Sequence, residues 1–161
     1  MKELQRILLA EDDANDIELT LTGLAAHHLA NRVDVVRDGA QALDYLYRRG
    51  AFASRPAGNP IVLLLDLKMP KVNGLEVLKK IKADPALKTI PVVVLTSSRE
   101  APDVESCYEY GVNAYVMKPV DFGEFTKAVG TLGVFWAALN LPPDDAAGFS
   151  AALPTASSSV R

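Results

Sequence analysis

Apolar positions along this chain gather into five short runs, and between the runs they return every three or four residues. The runs are Ile7 to Ala10, Val33 to Val36, Ile61 to Leu65, Pro91 to Leu95 and Asn113 to Met117. A continuous apolar run of this length, without polar alternation, suits a strand covered on both faces, as in a parallel sheet. The third run is the most uniform. Five apolar residues lead straight into Asp66, and Pro70 stops the pattern four residues later.

The stretches between the runs have helical spacing. Ile17, Leu21 and Leu24 recur at i, i+4 and i+7, with Asn15 or Asp16 placed to cap them. Asp38 can cap a second helix with Leu43, Leu46 and Tyr47 on one side, and Gly50 to Pro60 is a loop. Asn73-Gly74 precedes a third helix carrying Val77, Leu78 and Ile81, which Asp84-Pro85 ends. Val104, Cys107 and Tyr108 mark the face of a fourth, which stops at Gly111. Asp121 and Glu124 have capping-box spacing at the start of a last helix reaching about Leu139. Its core stripe is Phe122, Phe125, Val129, Leu132 and Trp136, which leaves Phe135 and Leu139 facing elsewhere.

Five strands alternating with five helices predict an α/β fold, a doubly wound parallel sheet with right-handed crossovers. The strand order 2-1-3-4-5 is expected, because it sets strands one and three side by side. One domain should cover residues 1–141, with a Pro-, Ala- and Ser-rich tail over 142–161.

Composition narrows the function classes. Twenty acidic against 17 basic residues give a net charge of −3, which advertises no nucleic-acid-binding surface. No run approaches the ~18 apolar residues a bilayer span requires. Lys2, Glu3 and Arg6 interrupt the amino terminus, which does not resemble a signal peptide. The lone cysteine, Cys107, excludes an internal disulfide and fits a reducing compartment, so a cytoplasmic protein with no membrane partner is expected. Cys107 reads as a small apolar residue, and His27 and His28 as surface histidines near a helix end.

Candidate chemistry lies at the strand ends. If strands one and three are neighbours, Glu11, Asp12 and Asp66 converge on one edge of the sheet. Carboxylates so close repel unless a cation neutralises them, and few hard oxygen ligands with room for water and phosphate suit Mg²⁺. Thr96 and Lys118, at the ends of strands four and five, bring a hydroxyl and an ammonium that can meet phosphoryl oxygens held on Asp66. Each of these residues singly could be a helix cap or a solvated charge. Independent capping does not predict all of them at strand ends on one edge.

With these motifs the chain resembles the receiver domain of two-component response regulators, a flavodoxin-like fold. The matching motifs are Glu11-Asp12 after the first strand, Asp66 with Lys68-Met69-Pro70 and Gly74, Thr96-Ser97, and Lys118-Pro119, over roughly residues 5 to 140. The resemblance implies that Asp66 accepts a phosphoryl group from a histidine kinase. It implies that Glu11, Asp12, Asp66 and the backbone carbonyl of Lys68 hold Mg²⁺, and that Thr96 and Lys118 bind phosphoryl oxygens. Tyr115 matches an aromatic switch coupled to Thr96, and Lys118–Pro119 matches a bond that is usually cis in the family. The long Gly50–Pro60 loop, Lys118-Pro119-Val120-Asp121 and Phe135-Trp136 look like the single-domain regulators paired with phytochrome-type kinases. With no output domain following, the signal would leave by protein contact, and outward-facing Phe135 and Leu139 imply a homodimer through the last helix.

Two other classes compete. One is a phosphorylation-independent scaffold or a phosphate sink of the receiver fold; a scaffold that keeps the fold without phosphorylation would not need the intact set of Glu11, Asp12, Asp66, Thr96 and Lys118. A phosphatase of this fold would want an acid where Lys68 stands, and a flavin binder would want a phosphate loop where Glu11-Asp12-Asp13 would repel phosphate.

Overall fold

The computed structural model describes residues 5–143. Five parallel strands form one sheet in the expected order β2-β1-β3-β4-β5. They are β1 (Ile7–Ala10), β2 (Val33–Val36), β3 (Val62–Leu65), β4 (Val92–Thr96) and β5 (Ala114–Met117). The crossovers carry α1 (Ala14–Ala25), α2 (Gly39–Tyr47), α3 (Gly74–Ala83) and α4 (Ala101–Glu109), and α5 (Phe122–Val134) follows the last strand. The tail expected over 142–161 falls mostly on residues 144–161, outside the described residues.

Strand alternation divides the core into two layers. Ile7, Leu9, Val62, Leu64, Val93 and Leu95 pack with Leu24 of α1 and with Phe125 and Val129 of α5. Leu8, Ala10, Leu63, Leu65, Val92 and Val94 pack on the other side with residues of α2, α3 and α4. Because β1, β3 and β4 are buried on both faces, their sequences read as unbroken apolar runs rather than alternating ones.

Several local expectations change. Asp13, rather than Asn15 or Asp16, caps α1 by accepting from the Asp16 backbone N–H at 2.9 Å. Only three residues therefore separate the end of β1 from the start of the helix. Phe122 is 71% exposed, because it lies a full turn ahead of Phe125, the first residue of the stripe to meet the sheet. Tyr108 is 56% exposed; Cys107 is the buried residue of α4, and the half-buried Tyr110 follows just past the helix end. No peptide bond among the described residues is cis, so Lys118–Pro119 is trans.

The last helix lies against α1 with little clearance. A Cβ on Gly130 would come within 2.8 Å of the His27 ring, and one on Gly133 would strike the Leu24 side chain. Past Val134 the helix widens into one π turn, Phe135–Leu139, closed by the Asn140 N–H on the Phe135 carbonyl at 2.7 Å.

Candidate functional site

The same alternation delivers the site. Ile7 and Leu9, Val62 and Leu64, and the partly buried Ala114 and Val116 all face the α1/α5 layer. One further step along each strand brings Glu11, Asp66 and Lys118 toward that layer at the carboxyl edge. Backbone bonds hold them level. The Asp66 N–H donates to the Ala10 carbonyl at 3.0 Å, the Glu11 N–H to Val36 at 3.0 Å, and the Lys118 N–H to Thr96 at 2.7 Å.

Glu11, Asp12 and Asp66 each offer a carboxylate oxygen, and these oxygens lie within 4.8 Å of one another. Glu11 and Asp66 are buried, while Asp12 is exposed and leaves the cluster open to solvent. The Lys118 ammonium sits among them, 2.6 Å from Glu11 Oε2, 2.8 Å from Asp16 Oδ2 and 3.7 Å from Asp66 Oδ2. One ammonium against Glu11, Asp12, Asp16 and Asp66 leaves the pocket negative. Hard oxygens with an uncompensated charge are the donor set a small divalent cation fits.

Burial pushes the Glu11 carboxyl up to about 7; the Lys118 hydrogen bond opposes this, and the Asp66 charge adds to it. Burial pulls the Lys118 ammonium down, yet its hydrogen bonds to Asp16 and Glu11 more than offset that and hold it above its ordinary value.

A pH dependence follows from Glu11. Its folded value lies above its unfolded 4.5, so between those values the folded chain binds more protons than the unfolded one. The stability from this group is fully present below 4.5 and is lost as pH rises through about 7. In chelator, wild type should therefore lose melting temperature relative to Glu11→Gln as pH rises from 5 to 8. Parallel pH profiles for the two proteins would refute this.

Thr96 is fully buried on the opposite, α4-facing side of the sheet, and its Oγ1 accepts from the Ser98 N–H at 3.3 Å. Tyr115 lies half-buried on that side, and its hydroxyl donates to the Ser98 carbonyl at 3.0 Å. The Ser98 hydroxyl in turn donates to Asp103. Lys68 exposes its side chain, and Phe135 and Leu139 are 49% and 72% exposed on the last helix. The three acids and Lys118 are thus brought together, while Thr96 and Tyr115 form a second group through Ser98. Asp16 was not expected at the site. An acid in a helix's first turn is already explained by the helix dipole, so nothing local marks it as a partner of Lys118.

The response regulator receiver domain model matches residues 7–130. Response regulator Rcp1 of Synechocystis sp. is 39% identical over 130 residues, which cover 81% of this chain and 87% of that protein. A crystal structure of the Mn²⁺-bound form of Rcp1 covers 86% of this chain and 99% of its own, at 37% identity and a TM-score of 0.80. The phosphorylated cyanobacterial phytochrome response regulator RcpA is 38% identical with a TM-score of 0.81, covering 88% of this chain and 99% of its own. The bacteriophytochrome response regulator AtBRR is 58% identical with a TM-score of 0.70, covering 86% and 99%.

Proposed function

The chain belongs to the response regulator receiver domain family, and from that premise we propose that it takes a phosphoryl group onto Asp66 from a histidine kinase of the phytochrome type. The observation that carries this reading is the buried Asp66 carboxylate, grouped within 4.8 Å of Glu11 and Asp12 and 3.7 Å from the Lys118 ammonium. Its similarity to Rcp1, RcpA and a bacteriophytochrome response regulator supports the choice of kinase class.

An Asp66 oxygen attacks phosphorus in line with the bond to the donor's imidazole nitrogen. As the O–P bond forms, the N–P bond breaks and its electron pair returns to the ring, which then takes up a proton. Lys118 meets the charge spread over the phosphoryl oxygens, so the protein's contribution is positioning and electrostatics. Mg²⁺ would be held by Glu11, Asp12, Asp66 and the Lys68 carbonyl, and when bound would supply further charge neutralisation. Thr96 shifts to a phosphoryl oxygen, and Tyr115 gives up its bond to the Ser98 carbonyl and turns into the space left behind. The test is intact mass after incubation with acetyl phosphate. One phosphoryl increment is expected with Mg²⁺ and none with a chelator; no increment with Mg²⁺ overturns the proposal.

The receiver unit in this reading is residues 1–141, acting in the cytoplasm by protein contacts without nucleic acid. Among the described residues no helix is long and apolar enough to cross a membrane. The contact nearest at hand is a second copy. Phe135 and Leu139 are exposed, with Leu141 beside them at 55%. Light scattering at micromolar concentration should report a dimer, and Phe135→Glu with Leu139→Glu should shift it to monomer. Monomer alone, with and without a phosphoryl mimic, refutes the dimer.

A further inference from the structure

Glu11 is claimed from two sides. Its Oε1 accepts from the Asp13 N–H at 3.1 Å, and its Oε2 accepts from Lys118 at 2.6 Å. A divalent cation seated among Glu11, Asp12 and Asp66 would draw on the same Glu11 carboxylate that pairs the ammonium. Lys118 is only 9% exposed, so water cannot replace a lost carboxylate partner freely, and an unpaired buried ammonium is costly.

Asp16 supplies what that exchange needs. It stands outside the cluster of three acids, and its Oδ2 already accepts from Lys118 at 2.8 Å. Its backbone is fixed from both sides. Its N–H donates to the capping Asp13 carboxylate at 2.9 Å, and its carbonyl accepts from the Thr20 hydroxyl at 2.7 Å. An ammonium has three N–H donors, of which Glu11 and Asp16 take two. We propose that Asp16 is a positioning residue for Lys118, the acceptor that keeps the ammonium paired beside Asp66 when Glu11 turns to the divalent cation. The inference rests on the reading of Glu11, Asp12 and Asp66 as the metal seat and Asp66 as the phosphoacceptor.

Because Asp16 acts through Lys118, its removal should weaken metal binding only where Lys118 is present. Calorimetric Mg²⁺ titration of the full chain should show affinity roughly tenfold weaker in Asp16→Asn, the scale of one charge-assisted hydrogen bond. In a Lys118→Ala background the same substitution should change affinity by about twofold or less, as the cycle isolates the pair. If Lys118→Ala does not give a cooperative melt, Lys118→Gln serves as the background. Equal weakening in both backgrounds means that the Asp16 charge acts through space, and it overturns the proposal, as does unchanged affinity in the single variant. Failure of wild type to bind Mg²⁺ or to take up a phosphoryl group would instead remove the reading of the site on which the inference stands.

Discussion

Asp66→Asn should abolish phosphoryl uptake and leave the fold intact. The substitution keeps the size and shape of the side chain but replaces the attacking carboxylate oxygen with an amide, which is not a nucleophile for phosphorus. The Lys118 ammonium stands 3.7 Å from the Asp66 carboxylate, beyond hydrogen-bond reach, and is paired with Glu11 and Asp16, so the substitution does not orphan it. It also removes a like charge that helps raise the Glu11 carboxyl, and the variant's Glu11 should titrate below about 7. Intact mass with acetyl phosphate and Mg²⁺ should therefore show the increment in wild type and none in Asp66→Asn, at matched melting behaviour. An increment of equal size in the variant would assign the acceptor to another residue.

The strands were readable from sequence because parallel strands covered on both faces leave no polar positions to obscure them. Ile61 to Leu65 and Pro91 to Leu95 bracket β3 and β4 to within one residue. The carboxyl-edge grouping was readable for a related reason. A residue one step past a buried strand has its height set by the ladder and its side set by the alternation, so Glu11 and Asp66 meet once β1 neighbours β3. Asp16 was not readable, because its bond to Lys118 spans 102 positions and its local setting already explains an acid. Helix phase was read less well than strand position. On α4 a one-residue error separates Cys107, fully buried, from Tyr108, and the four acids from Glu11 to Asp16 offered several caps where the short β1–α1 turn uses Asp13. Phe122 is in phase with its stripe yet exposed, because phase alone does not say how far the layer beneath the helix extends.

The same edge depends on one glycine, and Gly74→Ala is expected to damage both stability and chemistry. Gly74 opens α3 behind the Asn73 cap, and its N–H donates to the Leu67 carbonyl at 2.8 Å. That bond draws the helix start under the chain leaving β3. A Cβ at position 74 would strike the Asp66 carbonyl oxygen and lie 2.7 Å from Leu67 Cα and 2.9 Å from the Asp66 carbonyl carbon. All three are backbone atoms, so no rotamer change can clear them, and the segment carrying Asp66 has to move. Overpacking of this kind costs about 1–3 kcal/mol, which outweighs the gain of up to ~1 kcal/mol from alanine in a helix. A displacement of the attacking carboxylate by an ångström can slow a positioned reaction by roughly a hundredfold. The urea midpoint should fall, and phosphorylation at saturating Mg²⁺, measured well below that midpoint, should slow by at least about tenfold. Gly123→Ala is the contrast, because the Cβ there meets only the Asp121 side chain at 3.2 Å, and it should leave the phosphorylation rate near wild type. If Gly74→Ala keeps both the midpoint and the rate, the β3–α3 turn yields without shifting Asp66, and the close fit at Gly74 is not what positions the acceptor.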